Sequence, residues 1–128
     1  MYTLVTGGGG FIGSNLVHAL LEDGQRVLNI DCMSYNSHLP DIPESEYYTF
    51  KRVDLKTDDI LSLLVTYNVS HIYHLAAQTH VDRSFENSIE FSKDNVVGTH
   101  KLLEAVKEYG RVTKFLHMST DEVYGQVF

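Results

Sequence analysis

Tyr2-Thr3-Leu4-Val5-Thr6-Gly7-Gly8-Gly9-Gly10-Phe11-Ile12-Gly13 opens on four residues that read as a buried strand and runs directly into glycines at positions 7, 10 and 13. One glycine permits a tight strand-to-helix reversal, a second lets backbone amides approach a pyrophosphate, and a third lets the helix lie close on the sheet. The diphosphate would rest on the helix N-terminus, where unpaired N–H groups and the helix dipole favour an anion. A glycine run can equally be a flexible loop, so the flanking residues decide. Ile12, Leu16, Val17, Leu20 and Leu21 recur at helical spacing, and Gly24 supplies a stop after Glu22-Asp23. A second strand, Arg26 to Ile30, ends on Asp31. An acid at that point, roughly twenty residues past the glycines, is placed to accept hydrogen bonds from an adenosine ribose and to repel the extra phosphate of NADP. Cys32-Met33 brings no arginine to welcome that phosphate, so NAD is the expected cofactor. Without the glycines, Asp31 would read as an ordinary turn residue.

The rest of the chain alternates strand and helix. Cys32 to Glu46 carries both prolines, shows no steady periodicity and reads as a long loop. Tyr47 to Val53 reads as a third strand ending on Asp54-Leu55, and Thr57-Asp58-Asp59 opens a helix over Ile60 to Val65. Ser70 to Leu75 is a fourth strand leading into Ala76-Ala77, small enough for a flat ring or a diphosphate to approach. Ser84 to Tyr109 is predicted as one helix or two joined pieces, stopped by Gly110, and Lys114 to Met118 as a fifth strand. This alternation predicts an α/β fold, a doubly wound parallel sheet of the Rossmann type with strand order 3-2-1-4-5, truncated after strand five. Residues 1–128 then form one NAD-binding domain, without the substrate-binding region.

The fifth strand delivers Ser119-Thr120-Asp121-Glu122-Val123-Tyr124-Gly125. Two adjacent acids in a partly dry cleft repel each other and feel desolvation, so one can stay protonated as an acid while the other remains ionised as a base. Such a pair suits elimination of water. Ser119-x-x-Glu122 is also a helix capping box, which needs no chemistry. The glycine turn, Asp31, Ala76-Ala77 and Ser119 to Glu122 all fall at carboxyl ends of predicted strands, the edge where open parallel sheets bind ligands. That convergence favours a site over a cap.

A chain of 128 residues with a formal charge of −7 is one domain, and its charge argues against nucleic acid or an acidic membrane as the main partner. One cysteine excludes an internal disulfide and a multi-cysteine zinc site. The apolar start is too short for a signal peptide or a membrane span, and a cytoplasmic location is expected. His71 and His74 lie three apart in a strand, on opposite faces, and cannot share a metal; core or edge positions are expected of them, and no metal site. His80 reads as a loop residue or a contact to substrate diphosphate, Cys32 as a small buried residue, and Tyr124 as packing.

The chain resembles an extended short-chain dehydrogenase/reductase, and within it a nucleotide-sugar 4,6-dehydratase, in the N-terminal half of such enzymes. The resemblance runs end to end through Thr6 to Ser14, His74-Leu75-Ala76-Ala77-Gln78-Thr79-His80-Val81-Asp82, Asn95-Val96-Val97-Gly98-Thr99, and Ser119 to Gly125. The first and third stretches mark the superfamily. The last is the specific one, because 4-epimerases and decarboxylases of this kind generally lack the adjacent Asp-Glu pair. Gln78 to Asp82, with Phe85 and Asn87-Ser88, resembles dehydratases of the rhamnose route acting on UDP-glucose or dTDP-glucose. The resemblance implies that Gly7, Gly10, Phe11, Ile12 and Gly13 hold the pyrophosphate, Asp31 and Ser34 the adenosine ribose, and Asp54-Leu55 the adenine edge. It places Leu75, Ala76, Ala77 and Thr79 along the nicotinamide, with Asp94 and Ser119 nearby. Thr120 would bond near the sugar 4-hydroxyl, Asp121 would protonate the departing 6-hydroxyl, and Glu122 would remove the proton at carbon 5. The implied cycle is oxidation at carbon 4, loss of water across carbons 5 and 6, and return of the hydride to carbon 6, a lyase reaction overall. A homodimer is expected of the full-length protein.

The family's Tyr-x-x-x-Lys pair, which takes the 4-hydroxyl proton, does not follow within these residues. Tyr47-Tyr48-Thr49-Phe50-Lys51 imitates it, but in a strand residues four apart are separated by about 13 Å, against roughly 5–6 Å on a helix. The 128-residue chain by itself is therefore expected not to turn over. The alternatives are a 4-epimerase or decarboxylase of the same superfamily, and a non-catalytic dinucleotide-binding module.

Overall fold

The computed structural model describes residues 1–7, 11–31, 43–75 and 88–117. In chain order the elements are β1 (Tyr2–Thr6), α1 (Phe11–Glu22), β2 (Val27–Asp31), β3 (Tyr48–Arg52), α2 (Ile60–Thr66), β4 (Val69–His74), α3 (Ser88–Tyr109) and β5 (Lys114–His117). The strands form one parallel sheet in the order β3-β2-β1-β4-β5, as the alternation predicts. From Ser88 the long helical segment is a single helix; residues 84–87, also predicted helical, lie outside the described residues.

Alternation along the buried strands assigns the two faces. Leu4, Leu28, Ile30 and Ile72 pack with Ile60 and Leu64 of α2 and with Leu102, Ala105 and Tyr109 of α3. Val5 and Val27 point the other way, onto Val17 and Leu20 of α1, with Tyr48, Tyr73 and Leu75 around them. The sheet is thus covered on both sides, and β1 and β2 have no exposed residue between Thr3 and Thr6 or between Val27 and Asp31.

Local chemistry sets the element ends. Asp59 caps α2, its carboxylate accepting from the Ser62 N–H at 3.1 Å and the Ser62 hydroxyl at 2.7 Å. Its neighbour Asp58 turns back to accept from the Asp54 N–H at 2.7 Å. α3 is pinned to β4 at two points. Near the amino edge of the sheet, the Tyr109 hydroxyl donates to the Val69 carbonyl at 2.7 Å; near the carboxyl edge, Thr99 Oγ1 meets His74 Nε2 at 2.8 Å. Between these points the helix faces β4 with Leu102 and Ala105. Gly98 lets α3 sit close on the 53–58 turn: a Cβ there would lie 3.3 Å from the Leu55 Cβ.

The Tyr109 bond joins residues forty apart and is buried, so Tyr109→Phe keeps the packing but leaves the Val69 carbonyl without that donor. The variant should lose about 1 kcal/mol of unfolding free energy; urea denaturation with an unchanged m-value is the check.

Candidate functional site at the carboxyl edge of the sheet

β1, β2, β4 and β5 deliver Thr6, Asp31, His74 and His117 to one edge of the sheet. The first two crossings are locked by backbone bonds: the Gly7 N–H donates to the Ile30 carbonyl at 2.9 Å, and the Leu75 N–H to the Thr6 carbonyl at 2.9 Å. Gly7 has φ of +78°, in the left-handed region that a side chain resists, and α1 begins four residues later at Phe11. The leading N–H groups of α1 make no bonds within the helix and bring its positive end to this edge. Asp31, 7% exposed, closes β2 with its carbonyl accepting from the Val53 N–H at 3.1 Å. A left-handed glycine turn, a helix N-terminus and a nearly buried carboxylate on the adjacent strand form a donor and acceptor set that fits a dinucleotide, amides for its diphosphate and an acid for a ribose diol.

Of the residues expected around a cofactor, Gly7, Gly13, Asp31 and Leu75 stand at or next to these strand ends or in the first turn of α1. Phe11 and Ile12 open α1, with Ile12 55% exposed. Asp54 spends one carboxylate oxygen on the Lys56 N–H at 2.9 Å, a local turn bond, while Leu55 packs against the core beneath α3. Asp94 lies in the first part of α3. Gly10, Ser34, Ala76, Ala77, Thr79, Ser119, Thr120, Asp121 and Glu122 lie outside the described residues, and so do Cys32, His80 and Tyr124. Of the imitation Tyr-x-x-x-Lys, Lys51 lies in β3, while Tyr47, expected in the same strand, stands one residue before it; both are exposed. Among the described residues no three metal-ligating side chains gather, and no helix is long and apolar enough to cross a membrane.

What the sequence does not disclose is a polar cluster under this edge. His74 is buried, with Nδ1 at 2.6 Å from Thr6 Oγ1 and Nε2 at 2.8 Å from Thr99 Oγ1. Its ring lies against His117 of β5 at 4.9 Å between centroids and against Phe115 at 6.3 Å. Burial, and secondarily any charge on His117, pushes the His74 pKa down from 6.5 to about 4, so the imidazole is neutral at physiological pH. Its partners in the chain are sixty-eight and twenty-five residues away, a pairing that appears only once the β1–β4 register aligns Thr6 with His74.

The parallel sheet in order 3-2-1-4-5, with its glycine turn and strand-end acid, defines a Rossmann domain of the short-chain dehydrogenase/reductase class. Residues 4–128 match the family model described as GDP-mannose 4,6 dehydratase, and the chain belongs to that family. It is 43% identical over 96% of its length to the trifunctional UDP-glucose 4,6-dehydratase/UDP-4-keto-6-deoxy-D-glucose 3,5-epimerase/UDP-4-keto-L-rhamnose-reductase of Arabidopsis thaliana, of which it covers 19%. The dTDP-glucose 4,6-dehydratase DesIV of Streptomyces venezuelae, solved with NAD bound, superposes with a TM-score of 0.86 at 35% identity, covering 100% of this chain and 42% of that one. A UDP-glucose 4-epimerase of Thermotoga maritima, solved with UDP-glucose, gives a TM-score of 0.87 at 32% identity, covering 100% and 41%. The chain therefore spans well under half the length of the relatives it matches.

A depressed histidine pKa fixes the sign of one pH effect. Above pH 6.5 His74 is neutral folded or unfolded and contributes no pH dependence; from 6.5 down to about 4 the unfolded chain takes a proton that the folded one refuses. This group should cost up to about 3 kcal/mol of stability across that window. Denaturant melts at pH 7.0 and 4.5 should show the loss, and His74→Asn should flatten it.

Proposed function

We propose that this protein is an NAD-dependent nucleotide-hexose 4,6-dehydratase, acting on dTDP- or UDP-glucose, with residues 1–128 as its NAD-binding domain. The observation that carries the reading is the arrival of β5 beside β4 on the edge that also holds Gly7 and Asp31, two residues ahead of Ser119-Thr120-Asp121-Glu122. NAD-bound relatives on the same fold, and relatives named as dTDP- and UDP-glucose 4,6-dehydratases, support it. The rhamnose-type route, a cytoplasmic location and a homodimer of the full-length protein belong to the same reading, as does inactivity of the 128-residue chain alone.

NAD supplies the hydride acceptor for carbon 4 and the donor for carbon 6. Gly7, Gly10, Phe11, Ile12 and Gly13 cradle its diphosphate, Asp31 and Ser34 hold the adenosine ribose, and Asp54-Leu55 border the adenine. Leu75, Ala76, Ala77, Thr79, Asp94 and Ser119 border the nicotinamide end. Thr120 orients the sugar through its 4-hydroxyl region. Glu122, ionised, takes the proton from carbon 5, made acidic by the neighbouring 4-keto group. Asp121, held protonated beside that negative charge, gives its proton to the departing 6-hydroxyl, and water leaves.

The acid and base are separable from the oxidation. In the full-length protein, Asp121→Asn and Glu122→Gln should each slow formation of the 4-keto-6-deoxy product by about 10²–10⁴-fold, while the 4-keto sugar nucleotide that has not lost water accumulates, as followed by mass spectrometry. Normal dehydration by both variants would reduce the pair to a helix cap, and a C4-inverted hexose as product would make the enzyme an epimerase.

Asp31 should set cofactor choice. Asp31→Ala is expected to weaken NAD binding at least several-fold by removing the acceptor for the ribose hydroxyls. Calorimetric titration of the unmutated protein that gave tighter binding of NADP than of NAD would overturn the assignment.

A further inference from the structure

Thr6, His74 and Thr99 have no assigned part in holding the cofactor or the sugar, yet they connect the elements that do. Thr6 is the last residue of β1 and precedes Gly7; His74 is the last residue of β4 and precedes Leu75; Thr99 lies midway along α3. The Leu75 N–H points at both the carbonyl of Thr6, at 2.9 Å, and its Oγ1, at 3.0 Å. Oγ1 is thus an acceptor toward Leu75. One arrangement that meets these distances sends the Thr6 hydroxyl proton to His74 Nδ1 and a proton on Nε2 to Thr99 Oγ1; the opposite tautomer reverses both bonds and keeps the same spacing. A flat imidazole between two hydroxyls sets a distance, whereas valine and phenylalanine at the same places would fill the space without directing it. Burying three polar side chains also carries a desolvation cost that apolar replacements avoid, so the trio adds geometry more than stability.

We propose that His74 is a positioning residue for the dinucleotide site: bonded to Thr6 on one side and Thr99 on the other, it fixes the spacing between the glycine turn after β1 and the segment after β4. Resting on the assignment of NAD to this edge, the role requires no contact between His74 and the cofactor. Under that assignment Gly7 belongs to the diphosphate and Leu75 to the nicotinamide end, so a change in their separation loosens the whole cofactor. Leu75 is held twice by Thr6, and the bond to the ring helps to keep the Thr6 hydroxyl aimed at the Leu75 N–H.

The test uses the full-length protein and calorimetric titration with NAD, well below the melting temperature of each variant. Thr6→Val, an isosteric change that removes the bonds of Oγ1 to His74 and to the Leu75 N–H, should raise the NAD dissociation constant about tenfold. Thr6→Ser, which keeps the hydroxyl, should stay within about twofold of the unmutated protein. Thr99→Val removes only the outer bond and should raise the constant about threefold; its half-buried helical position makes it the arm that decides if Thr6→Val does not fold. Tyr109→Phe, which weakens the attachment of α3 at the other end of β4, should leave NAD affinity unchanged, separating positioning from general loss of stability. Unchanged affinity in Thr6→Val and Thr99→Val, or an equal loss in Tyr109→Phe, overturns the positioning role while leaving NAD as the cofactor. An unmutated protein that does not bind NAD removes the assignment and the positioning role together.

Discussion

From Thr3 to Thr6, strand β1 is enclosed on every side. Thr3, Leu4, Val5 and Thr6 are at most 3% exposed, with β2 and β4 bonded along both edges and helices on both faces. From Thr3 to Thr6 no side-chain hydroxyl is open to water, and both are answered inside the protein: Thr3 Oγ1 by Gln25 Oε1 at 2.8 Å, Thr6 Oγ1 by His74 and the Leu75 amide. The chain leaves this enclosure at Gly7, where a left-handed residue turns it toward α1. The parallel crossovers then follow from enclosure, since each next strand must enter from the same end, and all the strand exits collect on one edge. The proposed cofactor site lies at that edge, where the buried strands run out of hydrogen-bonding partners.

Such a scaffold is indifferent to which sugar chemistry it serves. A 4,6-dehydratase and a 4-epimerase superpose on this chain with TM-scores of 0.86 and 0.87, a difference that carries no functional information. Inverting carbon 4 asks only for exchange of its hydrogen. Eliminating water across carbons 5 and 6 needs in addition a base for the carbon 5 proton and an acid for the departing hydroxyl. Under the proposed reading the discrimination rests on side chains and not on the fold, with Asp121-Glu122 as the acid and base that the elimination requires.

Most of the architecture was legible because its signals are local. Strand and helix periods, the glycines, and Gly24 and Gly110 as stops place every described element within a few residues, and the chirality of parallel crossovers supplies the strand order. The polar cluster at His74 was not legible, because a strand pattern tells which face a residue takes but not which residue stands opposite it. Alternation put His71 and His74 on opposite faces, yet only the β1–β4 register brings Thr6, sixty-eight residues earlier, against the ring. Gly98 was readable as part of a superfamily stretch without a physical reason; its reason is the Leu55 Cβ that a side chain would meet at 3.3 Å. In Thr57-Asp58-Asp59 the helix start was visible, but the division of labour was not, since Asp58 serves the preceding turn and Asp59 the helix.

The attachment of α3 draws these contacts together. Tyr109 holds it to the beginning of β4 and Thr99 to the end, so the helix spans the strand with little freedom to slide. Gly98 adjoins Thr99, and its close approach to Leu55 is a third point of attachment, on the turn that follows β3. If Leu55 borders the adenine, as proposed, two consecutive residues of α3 touch both ends of the cofactor's seat: Gly98 beneath the adenine side, and Thr99, through His74 and Thr6, beneath the glycine turn and the nicotinamide side. A helix that moved to relieve one contact would disturb the other, because a packed interior transmits displacement instead of absorbing it. Under the proposed assignment, the distance between the two halves of the dinucleotide site is set locally, at the Gly98–Thr99 part of α3, by residues that do not themselves reach the ligand.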